Sequence, residues 1–95
     1  MNKQTNSNNW VKEGYYRSHD NFRISLVSLD TKNNIANYKI KTIDNKTITE
    51  KALTLGEVLK FEFEEINYEL KLNSIDNAGK NPFTKASYYT IKDSN

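Results

Sequence analysis

The feature that most constrains this chain is a two-residue rhythm in its apolar side chains. Phe22, Ile24 and Leu26 alternate with Arg23 and Ser25, and Ala36, Tyr38 and Ile40 with Asn37, Lys39 and Lys41. Leu59, Phe61 and Phe63 alternate with Lys60, Glu62 and Glu64, and Tyr68, Leu70 and Leu72 with Glu69, Lys71 and Asn73. Successive side chains of a β-strand point to opposite faces, so this spacing gives each strand one apolar face. It is the pattern of antiparallel sheets with one side on a core and the other in water.

The breaks between these runs are made of turn formers. Residues 30–34 (Asp, Thr, Lys, Asn, Asn) and 43–46 (Ile, Asp, Asn, Lys) read as turns, Gly56 marks a further break, and residues 76–82 read as a loop. The runs 59–63 and 68–72, separated by Glu65, Ile66 and Asn67, read as a hairpin. Residues 47–54 form a weaker strand whose large apolar residues are Ile48 and Leu53, and residues 83–92 form the last one. A helical turn competes over residues 51–65, where Leu55, Val58 and Leu59 make a stripe. Gly56 interrupts it, and Phe61 and Phe63 keep the two-residue period. The expected fold is all-β, a small antiparallel sandwich or partly open barrel of six to seven strands over residues 10–92. Residues 1–9 are expected to be a disordered polar tail and 93–95 a frayed C-terminus. No internal repeat is legible.

With 95 residues the chain holds one domain and one modest core, with aromatic residues supplying much of the buried area. It contains no cysteine, which removes disulfides, thiolate nucleophiles and cysteine-ligated zinc. No apolar run approaches the roughly 18 residues of a membrane span, and no secretory signal is legible. The expectation is a cytoplasmic protein without membrane contact.

Catalytic patterns are equally sparse. Three glycines do not write a phosphate loop or a dinucleotide fingerprint, and no serine sits in a nucleophile elbow. His19 is the sole histidine. Its neighbour Asp20 would point to the opposite face of a strand, so it reads as a surface loop histidine rather than a general base. Glu62 and Glu64 share a strand face, with Glu69 expected across from them, but a glycosidase needs a sugar-sized cleft as well. Residues 76–80 (Asp, Asn, Ala, Gly, Lys) only faintly resemble a calcium loop and break its alternating ligand pattern. No enzyme activity, cofactor or metal is expected.

Binding remains. Between residues 50 and 69 six acids face two lysines, while the rest of the chain carries twelve basic and six acidic residues. The doublets Tyr15-Tyr16 and Tyr88-Tyr89 would each turn one ring outward, and exposed tyrosine is enriched at interfaces. The expected function is a small intracellular non-catalytic binding protein of inhibitor, immunity or accessory type, in contact with a protein partner or its own copy. The candidate contact residues are Tyr15, Tyr16, Arg17, Glu62, Glu64, Glu69, Tyr88 and Tyr89. The alternative is a nucleotide or single-stranded nucleic-acid binding module using Lys39, Lys41 and Tyr38, since such proteins combine cations with aromatic stacking platforms.

Overall fold

Eight antiparallel strands carry the chain in the computed structural model, which describes residues 8–19, 21–76 and 85–93. They are β1 (Asn8–Lys12), β2 (Tyr16–His19), β3 (Phe22–Asp30), β4 (Ile35–Thr42), β5 (Thr47–Thr54), β6 (Val58–Phe63), β7 (Ile66–Asp76) and β8 (Ala86–Asp93). Two four-stranded sheets result, ordered β1-β8-β7-β6 and β2-β3-β4-β5. They pack face to face without closing into a barrel, so the architecture is the expected small sandwich.

The count exceeds six or seven because residues 8–19 hold two short strands with little apolar alternation to announce them. Residues 51–65 contain no helical turn: β5 ends, the chain turns through Leu55-Gly56, and β6 begins. The expected tail falls outside the described residues over 1–7, and Asn8 and Asn9 already belong to β1. Residues 77–84 of the expected loop and last strand, and residues 94–95, also lie outside them.

Inward side chains follow the two-residue rhythm. Phe22, Ile24 and Leu26 of β3, Tyr38 and Ile40 of β4, Leu70 and Leu72 of β7 and Tyr89 of β8 are all buried. Each large apolar side chain removed from water contributes about 1.5–3 kcal/mol. Phe22 centres an aromatic cluster at one end, edge-on to Phe61 at 5.3 Å and to Tyr68 at 4.8 Å. Such pairings add to the area they bury.

The two halves of the chain repeat each other. β1–β4 and β5–β8 have the same order of elements, and each half sends its first strand into the sheet formed by the other. Lys12-Glu13-Gly14-Tyr15 and Thr54-Leu55-Gly56-Glu57 make the same corner. The last residue donates its N–H to the first carbonyl at 3.0 Å in both, and Gly14 and Gly56 sit at φ 86° and 85°. That left-handed third position is the signature of a type II turn and favours glycine. Gly14 N–H binds the Leu26 carbonyl and Gly56 N–H that of Leu72, each at 2.8 Å. Bulges follow both leucines, and the pairings Leu26–Tyr38 and Leu72–Tyr89 are twins. With this register known, Leu26-Val27-Ser28-Leu29-Asp30 aligns with Leu72-Asn73-Ser74-Ile75-Asp76, and Tyr38-Lys39-Ile40-Lys41 with Tyr89-Thr90-Ile91-Lys92. A repeat is therefore present where none was legible. Longer strands β6 and β7 and a longer β7–β8 connection throw the two copies out of step in sequence.

Three turns are tied by carboxylates. Asp30 accepts bonds from Asn33, Asp44 from Thr42, and Glu57 from the Thr54 N–H. These bonds favour the ionised form and hold all three pKa values below the ordinary carboxylate range. A depressed folded-state pKa contributes stability that is present above the unfolded value and lost as pH falls through the folded one. Thermal midpoints should therefore drop on acidification below about pH 4. Combining Asp30→Asn, Asp44→Asn and Glu57→Gln should flatten that drop; an unchanged slope would remove this assignment.

The repeat makes a topological prediction as well. The β4–β5 turn and the gap between the ends of β8 and β1 are twin positions. A circular permutant opened between Asp44 and Asn45, with the original termini joined, should keep its β-rich circular dichroism and unfold cooperatively. A permutant opened inside β3 should not. Equal failure of both would count against the equivalence.

Candidate functional site

The first corner carries side chains that its twin lacks. Val11 of β1 turns inward, so its neighbour Trp10 turns outward, opposite Tyr88 of β8. Tyr15 stands in the corner and Tyr16 opens β2. Trp10, Tyr15 and Tyr16 are 43%, 62% and 52% exposed, unusually open for large aromatic groups. Each has a cation over its ring: Arg17 over Trp10 at 5.5 Å, Lys12 over Tyr15 at 5.3 Å, and Arg23 over Tyr16 at 4.6 Å. A cation is attracted to the negative face of a ring, by roughly 0.5–1 kcal/mol at exposed sites.

Arg17 has a second contact. Its Nε donates to the Trp10 carbonyl at 2.8 Å, linking the edge strands β1 and β2 of opposite sheets. Glu13 lies in the same corner, but its carboxylate accepts the Leu29 N–H at 2.8 Å. Shallow grooves flank Trp10. One, of about 170 Å³, runs along Lys12, Tyr15, Tyr16 and Arg17; the other, of about 230 Å³, along Lys12, Asp76, Ala86 and Tyr88. Both fall below the roughly 300–1,000 Å³ of a site that engulfs a small molecule.

The twin corner serves as an internal control. Where the first has Trp10, Tyr15, Tyr16 and Arg17, the second has Ala52, Glu57, Val58 and Leu59, with the same turn and the same backbone hydrogen bonds. The aromatic and cationic groups are thus not what the corner needs in order to form.

The expected contact residues divide. Tyr15 and Tyr16 both point outward, because Tyr15 precedes the strand and the alternation does not apply to it. Tyr88 and Tyr89 alternate as expected, and Tyr88 lies beside Trp10. Tyr89 is fully buried and is corrected from contact residue to core. Its hydroxyl pairs with His19 Nε2 at 2.8 Å. His19 is therefore no surface loop histidine: it closes β2 half-buried, 5.9 Å from the Phe22 ring. The three glutamates do not converge. Glu62 stands on β6 opposite Asn67, Glu64 leaves the strand at a positive φ in the β6–β7 turn, and Glu69 faces Lys60. Glu64 accepts a bond from Asn21 at 3.0 Å, and Glu69 pairs with Lys92 at 3.7 Å.

The alternative set does not form a stacking site. Tyr38 is buried, with its hydroxyl donating to Ser87, and Lys39 pairs with Glu50 at 3.7 Å. Lys41 faces outward beside Arg23. Burial pushes the Tyr38 and Tyr89 phenols up from their ordinary value, and their mutual proximity raises Tyr89 further. Both remain neutral hydrogen-bonding groups at neutral pH. Sequence reasoning missed Trp10, Lys12 and Arg23. An aromatic residue in a stretch too short to show alternation was the available signal for Trp10.

Comparison with family models, curated proteins and solved structures returns no match to this chain.

If the corner's aromatic groups are surplus to folding, replacing Trp10, Tyr15 and Tyr16 together by alanine should cost little stability. Each should stay within about 1 kcal/mol, against roughly 2–5 kcal/mol for Leu26→Ala in the core. Chemical denaturation measures both; a triple variant as damaged as Leu26→Ala would make the cluster structural.

Proposed function

We propose that this is a non-catalytic binding protein that meets a protein partner through its first corner. The observation that carries this reading is the cluster of three exposed, cation-capped aromatic rings on a corner whose twin forms without them. Trp, Tyr and Arg dominate the energetics of protein interfaces, because they bring large area at modest entropy cost. Shallow grooves suit a surface contact better than an engulfed ligand. Burial of Tyr38 and pairing of Lys39 weigh against the nucleic-acid alternative built on those residues. The absence of cysteine suits work in a reducing compartment such as the cytoplasm.

The test compares wild-type protein with the Trp10→Ala/Tyr15→Ala/Tyr16→Ala variant as immobilised baits against lysate of the source cells. Light scattering of the free protein detects a second copy as partner. Wild type should hold a partner, or itself, in fixed stoichiometry. The variant should lose it by tenfold or more in affinity, about 1.4 kcal/mol. Equal retention by the two, or a monomer that retains nothing, would refute the reading.

A further inference from the structure

We infer that the partner meets the corner with an acidic protein segment, an inference that rests on the binding reading above. Lys12, Arg17, Arg23 and Lys41 bring four positive charges to this corner and the adjoining outer face of β3 and β4. None of the four forms an ion pair among the described residues; of the two carboxylates nearby, Glu13 is held by a backbone N–H, and Asp76 shares a groove with Lys12 without pairing to it. Their twins are Thr54, Leu59, Glu69 and Lys92. Two of the four charges are thus absent from the second copy of the same framework, one is reversed, and one, Lys92, is kept. The framework forms without the charges of Lys12, Arg17 and Arg23.

The chemistry of these groups favours carboxylates. Arg17 spends its Nε on the Trp10 carbonyl and leaves its terminal amino groups, and a guanidinium matches a carboxylate in fork geometry. A nucleic-acid strand fits less well. One face of each ring is already covered by a cation, which leaves a base only the other. The chain's net charge is only +2, and the sheet that holds Trp10 and Lys12 also presents Glu62 and Glu69 on its far strands β6 and β7. A long polyanion would cross mixed charge, whereas a short acidic segment meets the corner alone.

Trp10 is the only tryptophan, so its emission reports occupancy of the site directly. Full-length protein is titrated at low ionic strength with poly-L-glutamate and, separately, with oligothymidylate. Poly-L-glutamate should shift Trp10 emission saturably, and added salt should weaken it. The double change Arg23→Ala/Lys41→Ala should weaken it about tenfold or more, equivalent to 1.4 kcal/mol. These residues are chosen because Arg17 also links two strands. Lys71→Ala, on β7 with β8 between it and β1, should leave the titration unchanged. Tighter, Arg23-dependent binding of oligothymidylate would reassign the corner to nucleic acid. No response to poly-L-glutamate, or one indifferent to Arg23→Ala/Lys41→Ala, would overturn the acidic assignment. In that case loss of the lysate partner from the aromatic triple variant would still stand, which separates failure of this inference from failure of the binding reading.

Discussion

Everything in this molecule depends on the chain changing sheets twice without abandoning its backbone hydrogen bonds. A sheet with one apolar face must bury it against another layer, so a chain of alternating strands has to cross between layers. Here both crossings use one device. A glycine in the left-handed region turns the backbone, and its N–H is taken up by a leucine carbonyl on a neighbouring strand, Leu26 or Leu72. The residue after the glycine then accepts that leucine's own N–H. Each crossing thus opens an edge strand and leaves the backbone groups of the corner satisfied, which matters because an unpaired buried amide costs about as much as a lost hydrogen bond.

Because the device is used twice, the framework and the surface can be separated. Positions that face inward are alike in the two halves: Val11 and Leu53, Leu26 and Leu72, Tyr38 and Tyr89, Ile40 and Ile91 are all buried twins. Tyr38 and Tyr89 even meet across the core at 5.9 Å. Outward positions have diverged. Val27 stands opposite in kind to Asn73, Arg23 to Glu69, Tyr15 to Glu57 and Trp10 to Ala52. Packing restrains what faces in, since interiors are close-packed, and leaves the outward side free for contact. The concentration of aromatic and cationic groups at one corner is therefore a property of the surface rather than of the fold.

Much of the architecture was legible because the alternation of Phe22–Leu26, Ala36–Ile40, Leu59–Phe63 and Tyr68–Leu72 leaves sheet as the one economical way to bury these groups. The parts that were not legible have local causes. β1 and β2 are too short to show a period. The β6–β7 turn lies at Glu64-Glu65, both at positive φ, where a tight hairpin ordinarily carries Asn or Gly, so the expected break slid to residues 65–67. The bulges after Leu26 and Leu72 shift the alternation by one and hide the repeat in Ser28-Leu29-Asp30 and Ser74-Ile75-Asp76. At the candidate site Tyr15, Tyr16, Arg17 and Tyr88 were visible as contact candidates. Trp10 and Arg23 join them only in three dimensions, because β1, β2 and β3 come together at the corner. Tyr89 was indistinguishable from Tyr88 until strand register set which of them faces the core.

The two glycine corners allow a direct comparison within one molecule. Isotope-labelled protein is observed by amide NMR as the captured partner is added. Gly14 N–H and the Trp10 indole should shift, while Gly56 N–H, in the same geometry at the twin corner, should stay where it is. Shifts at Gly56 alone, or equal shifts at both glycines, would contradict a contact surface confined to the first corner.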